Sequence, residues 1–310
     1  VVLGIRSSGS DSVRNVTLTR SKIKIHSVKG FQRKAGGEWD YYIDPAQRIG
    51  YIRISQFGPD TAIEMDKAVE AMQESGGLNG LILDLRFNPG GLLKAAVDVS
   101  NRFIDEGTIV SGHAGPHGGN AWSAQADKKD TYGAFPVVVL INKGSASASE
   151  IVSGCLQDQD RALILGENSY GKGSVQQLFP LRRELLGDYK AYIKVTTQYY
   201  QLPSGRIIHR RPGATKWGVK PDVVVRMTDH QVEKLIKARM VIDVLKDDGE
   251  DVDPEDLIGH AEGPEDGEEP EAEEPLPQSA TEILEQGFDP QLETGLLLLR
   301  ARLLGELARG

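Results

Sequence analysis

The sequence predicts an α/β fold, and three observations carry that prediction. Apolar runs of strand length recur at residues 49–55, 81–85, 137–141 and 162–165. Between them lie stretches whose apolar residues return at helical spacing, as Met65, Val69 and Met72 do. Turn signals open the helical stretches: Pro59-Asp60, Asn88-Pro-Gly-Gly91 and the small-residue segment after Asn142. Strands that alternate with helices pair in parallel through helical crossovers.

Each element follows in order. Residues 1–28 alternate apolar and polar positions, with Val16, Leu18, Ile23 and Ile25 in phase. They read as two short strands joined by a turn near 7–11. A strand at 49–55 leads into a helix that Gly76-Gly77 ends, and 81–85 is a buried strand. A helix runs from the Asn88-Pro-Gly-Gly91 turn to about Phe103, and 112–133 reads as a Gly/His/Ala-rich loop. The strand 137–141, a helix at 147–157 and the strand 162–165 complete the repeat. Residues 175–179 and 191–202 read as antiparallel additions. An amphipathic helix is expected at 228–245, with Val232, Leu235, Ile236, Ile242 and Leu245 available to pack. Asp289-Pro290 caps a final leucine-rich helix, whose stripe of Leu292, Leu296, Leu299 and Leu303 must be buried on the body or on a partner.

Composition limits the function classes. The chain has 310 residues, enough for one large or two modest domains, and it starts in mid-pattern at Val1 without a signal peptide, as a mature form or a fragment would. Its net charge is −9, but residues 247–274 hold fifteen Asp and Glu and no Lys or Arg, so the remainder carries +6. That tract reads as a disordered linker. No stripe of cations interleaved with aromatics suggests nucleic acid. No apolar run is long enough to span a membrane. The single cysteine, Cys155, forms no internal disulfide and reads as a small buried residue. No His or Cys pair has metal-ligand spacing on a firm element, and no cofactor is expected.

In open α/β sheets, ligands bind beyond the carboxyl ends of the strands. Two strand-to-helix turns lie there, residues 86–91 and 144–150, and their free backbone N–H groups could form an oxyanion hole. The second holds Ser145, Ser147 and Ser149 at alternate positions, where serine also serves as a turn or cap residue. A serine nucleophile needs a base. His113 and His117 could fold over the site. The other candidate is Lys172, set between Gly171 and Gly173 after the strand 162–165. A buried lysine loses hydration, its pKa falls, and it can then take a proton. Gln176, four residues on, could hold the amine.

Three segments in order resemble the carboxyl-terminal processing peptidases, the tail-specific serine peptidases of family S41. They are Leu83-Asp-Leu-Arg-Phe-Asn-Pro-Gly-Gly-Leu92, Gly144-Ser-Ala-Ser-Ala-Ser-Glu-Ile151 and Gly171-Lys-Gly-Ser-Val-Gln176. Gly218-Val-Lys-Pro-Asp222 and Asp289-Pro-Gln-Leu-Glu293 match as well. The resemblance implies Ser147 as nucleophile, Lys172 as general base and Gln176 as its orienting partner. It implies oxyanion donors at Ala148 and at Gly90 or Gly91, and a structural role for Glu150.

The implied fold is a crotonase- or ClpP-like core over 29–227. Residues 1–28 would be the last strands of a truncated PDZ-like module. The remainder would be an amphipathic helix at 228–246, the linker 247–287 and the helix 288–310. The implied substrates are proteins or peptides with apolar carboxyl termini, outside the cytoplasm, with a homodimer formed through the final helix. Two rivals stay open at this point: a crotonase-like acyl-thioester enzyme and a catalytically silent peptide-binding protein.

Overall fold

A computed structural model of the chain describes residues 1–6, 12–21, 26–34, 36–114, 121–181, 191–243 and 280–307. The first strands, β1 (Val2–Arg6) and β2 (Val13–Thr17), form an antiparallel hairpin of almost wholly exposed residues. Short strands β3 (Val28–Lys29), β4 (Gln32–Arg33), β5 (Trp39–Asp40) and β6 (Tyr42–Asp44) lead into the core strand β7 (Ile49–Ile54). The strand-helix repeat then runs through α1 (Thr61–Glu74), β8 (Gly80–Asp84) and α2 (Leu93–Asn101), and resumes with β11 (Val137–Ile141), α3 (Ala148–Asp158) and β12 (Leu163–Gly166). Between the two halves lie β9 (Thr108–Ala114) and β10 (Trp122–Gln125). The strands β13 (Ser174–Pro180), β14 (Tyr192–Gln201) and β15 (Val223–Val224) and the helices α4 (Asp229–Asp243), α5 (Ala280–Glu285) and α6 (Pro290–Leu307) complete the order.

The main sheet has seven strands, ordered β15-β12-β11-β8-β7-β3, with β6 also paired to β7. From β7 to β15 all pairings are parallel, as the strand-helix alternation predicts. Its two faces follow from the period of two along a strand. Leu81, Leu83, Val137, Val139 and Ile141 point to a core shared with α1, α2 and α3. Ile82, Val138, Leu140 and Leu165 point the other way, to Leu292, Leu296 and Leu299 of α6. Both faces are covered, which is why these strands read as unbroken apolar runs. Cys155 lies buried in α3, and the loss of hydration there pushes its thiol up to about 12.

The stripe of the last helix is thus buried on the sheet of its own chain, each leucine contributing about 1.5–3 kcal/mol. A polar lock completes the docking. Arg86, with no exposed side-chain surface, donates to Asp84 Oδ2 (2.7 Å), to Asp289 Oδ1 and Oδ2 (2.7 and 2.8 Å) and to Gln291 Oε1 (3.1 Å). Asp84 also accepts from the Tyr51 hydroxyl at 2.8 Å and from Arg239. Burial alone would raise the Asp84 carboxyl, but Arg239 and Arg86 hold it well below the usual carboxylate range. Asp289 also caps α6, accepting from the Leu292 N–H at 3.0 Å.

Two expectations are corrected. The stretch 112–133 is not simply a loop. It carries the end of β9 and all of β10, which pair with each other in a second, four-stranded sheet ordered β10-β9-β14-β13. The apolar pair Ile109 and Val110, fully buried, anchors β9, and its polar continuation conceals the strand. The expected linker 247–287 does not stay irregular to its end, because Ala280–Glu285 is helical, with Leu284 against the core. The acidic tract 247–274 and the turn near 7–11 lie outside the described residues.

Candidate active site

Because β8, β11 and β12 are neighbours in register, the turns that leave their carboxyl ends stand side by side. These are residues 85–91, 142–147 and 167–173. The first two are stitched together by side chains. Asn142 Oδ1 accepts from the N–H of Phe87 (2.9 Å) and of Gly144 (3.0 Å). The Asn88 carbonyl accepts from the Ala146 N–H at 3.0 Å.

The three serines have separate fates. Ser145 and Ser149 are fully buried, and each hydroxyl donates to a carbonyl of the first turn: Ser145 to Leu85 (2.8 Å) and Ser149 to Asn88 (2.9 Å). They are staples. Ser147, 9% exposed, is the one of the three that keeps surface. It sits just before α3 with φ 57°, a conformation that costs a non-glycine residue about 1–3 kcal/mol and recurs at functional turns. This sharp strand-to-helix turn lifts the hydroxyl out of the backbone.

The glycine turn packs against that serine. Gly90 has φ 98°, and a Cβ there would lie 2.7 Å from Ser147 Cβ and 2.9 Å from the Ala148 nitrogen. Only glycine fits. Its own N–H donates to Asn88 Oδ1 at 2.8 Å, so Gly90 is not a free donor. The N–H groups of Gly91 and Ala148 have no acceptor among the described residues. Gly91 is pinned by Phe57, whose N–H donates to the Gly90 carbonyl (3.0 Å) and whose carbonyl accepts from Leu92 (2.8 Å).

Glu150 joins the Ser147 turn to the Lys172 turn. Its carboxylate is fully buried and accepts from the N–H groups of Ser147 (2.8 Å), Gly171 (2.6 Å) and Lys172 (2.8 Å) and from the Ser169 hydroxyl (2.5 Å). Burial pushes the carboxyl up, and these four donors pull it back only in part. The structural role expected for Glu150 is the one it has. Lys172 is half-buried, and its ammonium has no ion-pair partner among the described residues.

Two expected contacts are not formed. No hydrogen bond joins Lys172 to Ser147 or to Gln176 among the described residues, and Gln176 is exposed. The register of β13 against β14 shifts between Val175 and Gln176, where Thr197 of β14 is the extra, unpaired residue. Among the described residues no histidine side chain bonds Ser147. His26 pairs with Glu64 at 2.9 Å, and His117 lies outside the described residues.

Sequence reasoning missed Asn88, Ser169 and Tyr200. Tyr200, buried on β14, faces the Ser147 side chain. Burial raises its phenol, and the neighbouring Ser147 side chain acts weakly the other way. The Tyr200 N–H also donates to the Gly173 carbonyl (2.8 Å), next to Lys172. No local signal marks Tyr200, whereas Asn88 is part of the quoted glycine turn.

Comparison with known proteins gives the same picture. The model of "Peptidase family S41" matches residues 48–225. A carboxyl-terminal-processing protease of Synechocystis sp. is 38% identical over 225 residues, covering 73% of this chain and 47% of that protein. The carboxy-terminal processing protease CtpB of Bacillus subtilis is 30% identical over 232 residues, covering 74% and 43%. The photosystem II D1 C-terminal processing protease superimposes with a TM-score of 0.51 at 33% identity, covering 69% of this chain and 52% of that one. The chain spans about half the length of the curated relatives it matches. Sequence, fold and the three adjoining turns together make the chain a member of peptidase family S41.

Proposed function

We propose that the chain is a serine endopeptidase that cleaves protein substrates at or near their carboxyl termini through an acyl-enzyme. The observation that carries this reading is the division of labour among the serines. Ser145 and Ser149 spend their hydroxyls on backbone carbonyls, while Ser147 stands on a strained turn beside two free backbone N–H groups. Ser147 Oγ attacks the scissile carbonyl, and Lys172, in its neutral form, takes the proton. The oxyanion is held by the N–H groups of Gly91 and Ala148. Lys172 passes the proton to the leaving amine and then activates the water that frees the acyl group. Gln176 orients the amine once substrate closes the site, since catalytic hydrogen bonds are often long before substrate binds. The hairpin β1–β2 belongs to a PDZ-like module that captures apolar carboxyl termini, and the protein works outside the cytoplasm, as its resemblance implies.

Digestion of an unfolded protein with an apolar carboxyl terminus tests this reading. Fragments seen by mass spectrometry are expected with the wild type and absent with Ser147→Ala. Equal cleavage by both would overturn the assignment.

Gly90→Ala tests the turn. The new Cβ would push against Ser147 and the Ala148 nitrogen. The expected result is a fall in kcat of about a hundredfold to a thousandfold, the effect of losing one oxyanion donor. Thermal melting checks that the fold survives.

A further inference from the structure

The left-handed region of backbone conformation is costly to any residue with a Cβ, and most of all to a bulky one. Among the described residues four other than glycine adopt it, and two of them belong to the site: Ser147 and Phe87, with φ 57° and 61°. The Ser147 N–H is held by the Glu150 carboxylate. Phe87 stands shortly before Gly90 and Gly91 in the same turn, and its backbone is held by the neighbouring turn. Its N–H donates to Asn142 Oδ1 at 2.9 Å, and a Cβ on Gly144 would lie 3.0 Å from its Cα. Its ring is held by another element altogether. The Arg239 guanidinium of α4 lies over the Phe87 ring, 5.4 Å from the centroid.

The docking of α4 places Arg239 there. Leu235, Ala238 and Val241 bury one face of that helix. One turn beyond Arg239, Asp243 pairs with Arg53 of β7 and, at 2.5 Å, with Lys29 of β3. The Arg239 side chain is 11% exposed, and it also donates to Asp84 Oδ2 at the end of β8. Between the two contacts, the Arg86 N–H donates to Asp84 Oδ1 at 2.9 Å. One guanidinium thus grips the chain on both sides of Arg86, at the last residue of the strand and at the strained residue of the turn. A cation over an aromatic face is held more strongly as water is excluded, and a planar guanidinium stacks while it keeps an ion pair.

We propose that Arg239 is a positioning residue of the active site: through the Phe87 ring it holds the turn in the conformation that presents the Gly91 N–H beside Ser147. Arg239 touches no reacting atom and acts through that ring. The kinetic consequence rests on the peptidase reading; the structural one, a turn that loosens without Arg239, does not.

Two readouts on the full chain test this. Arg239→Met removes the charge and keeps most of the length of the side chain. With a peptide substrate, kcat is expected to fall roughly tenfold while KM stays unchanged. Phe87→Gly removes both the ring and the strain, since glycine adopts this φ freely. Whatever the rate of that variant, adding Arg239→Met to it is expected to change kcat by less than about twofold. The second readout is hydrogen exchange of the segment 85–92, followed by mass spectrometry. Exchange there is expected to speed up roughly tenfold in Arg239→Met, and adding Arg239→Met to Phe87→Gly is expected to leave it unchanged. An Arg239 that served only to dock α4 would instead lower the melting temperature and speed exchange in α4, equally in both backgrounds, with kcat and the turn untouched. Wild-type kcat in Arg239→Met, the same loss in the Phe87→Gly background, or unchanged exchange of the turn would each overturn the proposal. A wild type that cleaves nothing would sink the peptidase reading, and the exchange of the turn would then decide the role of Arg239 alone.

Discussion

Lys172→Arg is expected to abolish turnover as completely as Lys172→Ala, each lowering kcat by about a thousandfold or more. The two variants differ in what they keep. Arginine keeps the positive charge and most of the length of the side chain, so a lysine that merely steadied the oxyanion or the substrate would be replaced well. A lysine that must accept a proton would not be, because a guanidinium does not give one up in a protein. Single-turnover kinetics with an activated ester separates the two readings. A retained acylation rate in Lys172→Arg would show that the lysine is not the base. Nucleophile and base act as a unit, so the double variant Ser147→Ala/Lys172→Ala is expected to be no slower than either single one.

Arg86→Met is expected to cost about 3–5 kcal/mol of stability, because it strands two buried carboxylates that the guanidinium now pairs. The loss reaches the active site. Arg86 is the second residue after β8, within the turn that holds Gly90 and Gly91, and it ties that turn to Asp289 at the head of α6. Chemical denaturation measures the stability, and kcat measured well below the melting temperature reports on the turn. Replacing Arg86, Asp84 and Asp289 together by apolar residues of similar volume is expected to recover much of the stability, since a buried ion network is costly chiefly when it is broken in part. If Arg86→Met alone proved neutral, the lock would carry no energy, and α6 would be held by Leu292, Leu296 and Leu299 unaided.

The core strands were legible in the sequence for a physical reason: both faces of a parallel sheet are covered, so each strand is a largely apolar run, with Arg53 the one charge inside β7. β9 was hidden because, among its described side chains, Ile109 and Val110 alone enter the apolar core. The turns were legible as well, since glycine at Gly90 and Gly91 answers a steric demand that local sequence states openly. The roles of the three serines were not, because two of the partners, the carbonyls of Leu85 and Asn88, lie some sixty residues away in the chain. Tyr200 and Asp289 are further examples of long-range partners, each ordinary in its own segment and informative only once the sheet brings it to Ser147 or Arg86. Gln176 shows what spacing leaves open: four residues from Lys172, it lies exposed and forms no hydrogen bond to it among the described residues.

The central claim is that Ser147 carries the acyl group. Rapid acid quenching of the reaction with a slowly deacylating ester, followed by peptide mapping in the mass spectrometer, tests it most directly. The expected result is a transient acyl mass on the peptide that contains Ser147, absent from Ser147→Ala and unaffected by Ser145→Ala or Ser149→Ala. Full turnover with the adduct on another residue would contradict the account.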